Sequence, residues 1–125
     1  MHRRSLAASF RDAFRGIGHT LLTQRNAKIQ LAVGVIVLIA AAVLRVSVGD
    51  FAVLILTSAA VLAAETVNTA IETLVDAFCP GPNEAARIAK DAAAGAVLLL
   101  AIASVGVGLC ILGPPLWRLF LTGGG

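Results

Sequence analysis

The stretch 51-FAVLILTSAAVLAAETVNTAIETLVDAF-78 begins as an almost wholly apolar run and ends in a polar stripe. Glu65, Asn68, Glu72 and Asp76 recur at intervals of three and four. With Glu65 at 0° and about 100° per residue, Asn68 falls at roughly −60°, Glu72 at roughly −20° and Asp76 at roughly +20°. One helix face therefore carries three carboxylates and an amide. From Phe51 to Phe78 such a helix is about 42 Å long at 1.5 Å per residue, more than the roughly 30 Å hydrocarbon slab of a bilayer. It spans the membrane and protrudes, with the stripe at or just beyond the boundary. Pro80, Gly81 and Pro82 then end it.

The rest of the chain agrees with a membrane setting. Of its 125 residues 58% are hydrophobic and 14% charged, and a soluble domain of that size has too much surface per volume to hide so much apolar area. Two further apolar segments, 29-IQLAVGVIVLIAAAVL-44 and 92-AAAGAVLLLAIASVGVGLCIL-112, read as spans. The turn 47-SVGD-50 separates the first from Phe51, and Pro114 and Pro115 stop the last, leaving 122-TGGG-125 as a loose tail. Residues 5–24 read as a surface helix. Leu6, Phe10, Phe14, Ile17 and Leu21 share a face, with Arg4, Arg11 and Arg15 beside it, as in helices that lie in the lipid interface. The other reading of that helix is packing on a soluble core. The expected fold is an all-α membrane protein of one domain, residues 1–125. It is a helical bundle with an N-terminal amphipathic interfacial helix (5–24) and three transmembrane helices at about 29–46, 51–78 and 91–112.

Arg3, Arg4, Arg11, Arg15, Arg25, Lys28, Arg87 and Lys90 fall on one side of this topology, and Arg45 and Arg118 on the other. The bias places the N-terminus and the 79–91 loop in the cytoplasm and the C-terminus outside. The net charge of +3 suits anionic lipid or a nucleotide better than nucleic acid, given how apolar the chain is. The apolar run starts too late for a signal peptide. Cys79 and Cys110 imply no disulfide framework, and His2 and His19 have no second ligand at metal spacing. No Walker sequence and no Ser–His–Asp or Cys–His set is present.

Three stacked carboxylates repel one another, and ionisable residues at membrane depth are a functional signal. Divalent cations and basic groups compensate such a stripe. Mg²⁺ accepts one or two carboxylates and completes its shell with water and phosphate oxygens. Lys90 is a point charge suited to phosphate, and Asp91 stands ready to cap the third span or orient Lys90. Ala92, Ala93, Ala94, Gly95 and Ala96 form a small-residue face suited to close helix packing. The bland alternatives are a solvated helix face for the stripe and membrane anchoring for Lys90.

The pattern E-x-x-N-T-A-I-E-x-x-V-D at 65–76 followed by A-K-D-A-A-A-G-A-V at 89–97 resembles the small prokaryotic diacylglycerol kinase / undecaprenol kinase family, and 9-SFRDAFRGI-17 resembles that family's interfacial-helix signature. The form AKDAAAGAV is more similar to the undecaprenol kinase branch. The resemblance implies a homotrimeric enzyme of the bacterial plasma membrane that transfers the γ-phosphate of ATP to a hydroxyl of a polyprenol or diacylglycerol with Mg²⁺. It implies that Glu65 is the general base, that Glu72 binds the metal, that Asn68 and Asp76 support that site, and that Lys90 and Asp91 contact the nucleotide. Gln24 in 24-QRN-26 stands where the family carries a metal-binding Glu, and Asn83 and Gln30 stand where it often carries His. An amide oxygen coordinates Mg²⁺ more weakly than a carboxylate. Two other readings stay open: a non-catalytic oligomer whose carboxylates form an ion ring, and a relative that binds nucleotide but turns over poorly.

Overall fold

The computed structural model of the chain describes residues 3–124, so His2 and Gly125 lie outside the described residues. Four helices follow in order: α1 (Leu6–Thr23), α2 (Arg25–Val43), α3 (Val48–Phe78) and α4 (Glu84–Thr122). Three of them, α2, α3 and α4, are long and apolar enough to cross a membrane. The chain is an all-α membrane protein.

Ser5 caps α1 by accepting the Ala8 N–H at 3.2 Å. Gln24 is the whole connection to α2. Its backbone is extended, and its N–H reaches the Thr20 carbonyl at 2.9 Å. Along α1, Leu6, Phe10, Phe14 and Ile17 are exposed by 46–76%. That face covers nothing within the chain, which favours the interfacial reading over packing on a soluble core.

The α2–α3 connection differs from the expected turn at 47–50. It lies at Leu44–Ser47, and residues 48–50 already form the first turn of α3. Ser47 moves the boundary, because its hydroxyl accepts the Asp50 N–H at 3.1 Å. Before it, the Val46 N–H reaches the Ala41 carbonyl and the Arg45 N–H the Ala42 carbonyl, both at 3.2 Å. This is a Schellman ending. The residue at its left-handed position is Arg45, with φ 54°, where glycine is usual.

α4 corrects the sequence reading at both ends. The span expected from 91 starts at Glu84, because Asn83 accepts the Ala86 N–H at 2.9 Å and caps it. The basic loop shrinks to residues 79–83, and Arg87, Lys90 and Asp91 become helical. The expected stop at Pro114 and Pro115 does not occur, and the helix runs through both to Thr122. The fixed φ of proline is helical, so what is lost is two N–H donors and some clearance. Helices in lipid tolerate that through local adjustment. At 39 residues, α4 is about 58 Å long.

Packing runs mainly along α3, which lies against both α4 and α2. Near the α2–α3 connection Ala41, Leu54 and Leu112 form a small apolar core with Val37, Phe51 and Ile111 around it. A Cβ on Gly34 would touch the Ser58 side chain at 3.4 Å, so glycine permits the close α2–α3 approach. Elsewhere apolar side chains face outward: Leu56, Leu98 and Leu99 are 60–71% exposed. Apolar exposure on this scale is what lipid solvates.

Candidate active site

The polar face of α3 is graded in burial. Glu65 is 2% exposed and Asn68 7%, Glu72 is half-buried, and Asp76 is exposed. The Asn68 Nδ2 donates to Glu72 Oε1 at 3.3 Å. Glu65 Oε2 and Asn68 Oδ1 are buried and have no protein partner. An orphaned acceptor in such a place is costly, and two on neighbouring turns of one face mark where a ligand group fits. Thr69 is buried beside them, but its hydroxyl is spent on the Glu65 carbonyl at 2.9 Å.

At the outer end of the stripe α4 meets α3. Lys90 Nζ donates to Asp76 Oδ1 at 2.8 Å. The expected roles of Asp91 as helix cap or orienter of Lys90 are not seen. Asn83 is the cap, and Asp91 Oδ2 accepts from Arg87 Nη1 at 2.9 Å. The shift follows from the early start of α4, which brings Glu84, Arg87 and Asp91 onto one face. Asp76, Asn83, Arg87, Lys90 and Asp91 line a groove of about 500 Å³ with the Cys79–Pro82 loop. A second groove, about 510 Å³ and mostly apolar, lies between α1 and α3 along His19, Thr20, Thr69, Thr73 and Phe78.

Thus the structure brings Asn68 to Glu72 and Lys90 to Asp76, and sets Asp91 in the same groove through Arg87. Gln24 lies at the α1–α2 junction, half-buried, and makes no side-chain hydrogen bond to the stripe. Among the described residues no three His, Cys, Asp or Glu side chains are grouped to cage a metal. Sequence reasoning missed two features. Thr20 is buried, 3% exposed, with its hydroxyl on the Gly16 carbonyl. Its burial depends on how α1 docks, which no local pattern signals. Arg87 reads from the sequence only as a charge of the basic side, although its i, i+3 and i, i+4 spacing from Glu84 and to Asp91 is legible there.

A family profile described as prokaryotic diacylglycerol kinase matches residues 11–112, which span all of this machinery. The chain belongs to the prokaryotic diacylglycerol kinase family. It is 48% identical over 118 residues to the diacylglycerol kinase of Synechocystis sp., covering 94% of this chain and 67% of that protein. It is 38% identical over 108 residues to the undecaprenol kinase of Bacillus subtilis, covering 86% of this chain and 88% of that protein. The family is one of lipid kinases, and this bacterial membrane protein is an enzyme of that class. As a prokaryotic diacylglycerol kinase family member it carries both sequence elements of the resemblance on α3 and the start of α4. The α4 extension beyond Leu112 falls outside the matched region.

Proposed function

We propose that the chain transfers the γ-phosphate of ATP to the hydroxyl of a membrane lipid, a polyprenol such as undecaprenol or a diacylglycerol, with Mg²⁺. The observation that carries this reading is the burial gradient along one face of α3. It runs from the buried, unpartnered Glu65 to the exposed Asp76–Lys90 pair. A base at the lipid boundary meets a hydroxyl that cannot leave the membrane. The groove further out meets a soluble nucleotide.

In this reading Glu65 takes the proton of the lipid hydroxyl. The lipid oxygen bonds to the γ-phosphorus, the bridging bond to the β-phosphate breaks, and ADP leaves. Phosphoryl transfer asks the protein mainly for positioning and charge neutralisation. Asn68 holds the Glu72 carboxylate in place, and Asp76, Lys90 and Asp91 position the nucleotide. The oxygens present fit Mg²⁺, because Glu72 and the orphaned acceptors of Glu65 and Asn68 are hard donors and Mg²⁺ needs few protein ligands when phosphate supplies the rest. Glu72 would hold it, with Gln24 as a weaker neutral ligand. Bound there, the ion supplies positive charge where the phosphoryl group moves.

The proposal includes a homotrimer with cytoplasmic N-terminus and active site and external C-terminus. The small-residue face supports association. Ala93 and Ala96 line a groove against α3, while Ala92 and Ala94 are exposed and a Cβ on Gly95 would meet nothing within 4 Å, so part of that small-residue segment is left free for a neighbouring helix. On the acceptor, the AKDAAAGAV form favours a polyprenol, and the identity to the Synechocystis protein favours diacylglycerol.

The test is reconstitution in mixed micelles with Mg²⁺ and γ-labelled ATP, offering undecaprenol and diacylglycerol in parallel. Label entering one lipid, and lost in Glu65→Gln, establishes the reading and names the acceptor. Label in neither lipid at any Mg²⁺ concentration rejects it.

A further inference from the structure

Two ion pairs lie side by side in the groove beyond the stripe. Lys90 is held by Asp76 at 2.8 Å and Arg87 by Asp91 at 2.9 Å, and all four side chains line the same space of about 500 Å³. The groove walls therefore carry two cations and two carboxylates, with Glu84 behind Arg87 adding a third carboxylate. A bare polyphosphate meets as many carboxylates as cations, and so does a bare divalent ion. A metal–polyphosphate complex brings both signs and can exchange partners with both pairs.

Arg87 is built for such an exchange. Glu84 holds one edge of its guanidinium through Nε at 3.1 Å and through Nη2. Nη1 goes to Asp91 alone. The guanidinium is thus fixed in orientation by one carboxylate and loaded at its other edge by a second. Its planar fork matches phosphate oxygens, and it stays charged at any working pH. The Arg87 and Asp91 side chains are 60% and 66% exposed, and ion pairs so exposed are weakly held. Lys90 stands three residues further along the same helix, so two cations flank one phosphate path.

We propose that Arg87 is a second phosphate-binding cation of the nucleotide groove, kept in place by Asp91 until a metal–nucleotide complex displaces it. This rests on the lipid kinase reading. It adds to that reading a residue and a selectivity: the groove takes the metal complex and discriminates against free nucleotide.

The experiment is direct binding of a trinitrophenyl derivative of ATP to the purified full chain in detergent, with Mg²⁺ and with EDTA. Arg87→Gln should weaken binding in Mg²⁺ about tenfold, the size expected for one charge-assisted hydrogen bond. Arg87→Lys should recover part of the loss. The KM for lipid should stay unchanged while that for nucleotide rises. Asp91→Asn frees Arg87 and should tighten binding in EDTA, and that gain should vanish when Arg87→Gln is combined with it, whereas mere loss of a negative charge would leave the gain in both. Equal binding by Arg87→Gln and the unsubstituted chain overturns the assignment, as does unchanged metal-free binding by Asp91→Asn. Should Arg87→Gln fail to fold, Arg87→Lys takes its place, alone and with Asp91→Asn, and unchanged nucleotide binding by it overturns the assignment. No nucleotide binding by the unsubstituted chain removes the kinase reading itself.

Discussion

Lys90 Nζ and Asp76 Oδ1 lie 2.8 Å apart and join two helices across 14 residues of sequence. The pair joins α3 to α4 beside the Cys79–Pro82 loop, just where the groove opens. Because both side chains are largely solvated, its value lies in placement more than in stability. Lys90→Ala should therefore leave the thermal midpoint in detergent nearly unchanged and raise the KM for ATP. A large loss of thermal stability with an unchanged KM would make Lys90 a fastener only.

Glu65→Gln keeps shape and volume and removes the proton acceptor. General-base loss predicts a fall in label transfer of about a hundredfold or more, with Mg²⁺–nucleotide binding retained. Full activity in this variant would move the base elsewhere.

Gln24→Glu adds a carboxylate at the α1–α2 junction. If Gln24 approaches the metal in the working enzyme, half-saturation should shift to lower Mg²⁺. A titration of activity against Mg²⁺ checks this. An unmoved midpoint would remove residue 24 from the metal shell.

Arg45 holds the left-handed position that ends α2. Arg45→Gly should stabilise the fold by up to about 1 kcal/mol, as the Cβ clash is relieved and partly offset by glycine's greater freedom in the unfolded chain. Thermal unfolding in detergent measures it. Destabilisation would mean that the arginine side chain contributes more than its backbone conformation costs.

Orientation can be read from the native thiols. Cys79 is exposed in the loop between α3 and α4, which the proposed topology puts in the cytoplasm, and Cys110 is exposed within the α4 span. A membrane-impermeant maleimide should label Cys79 in inside-out vesicles and not in right-side-out ones, and should spare Cys110 in both. The reverse pattern at Cys79 would invert the topology.

The sequence made helix type and number readable, because long apolar runs in lipid leave little else possible. It also exposed the stripe, since a period of three and four survives any tertiary arrangement. What it concealed depends on helix ends and docking. Residues 84–90 look like a charged loop until Asn83 is seen to cap them, and only then do Glu84, Arg87 and Asp91 fall on one face. The paired prolines look like a stop, and in lipid they are not one. Arg45 gives no hint of positive φ, which glycine or asparagine would have signalled. Thr20 becomes buried only once α1 meets α3.

The buried positions have a bearing on how this chain can vary. Thr20, Glu65, Asn68 and Thr69 are buried, against Ala27, Ala41, Leu54, Val61 and Leu112 among the apolar residues. In a saturation library the usual tolerance map should therefore appear as a photographic negative. Exchanges among Leu, Ile, Val and Ala along the lipid-facing sides of α2, α3 and α4 should pass almost silently. Selection should fall instead on a few oxygens and amides, so that variants drift freely in their greasy letters while their polar ones stay put.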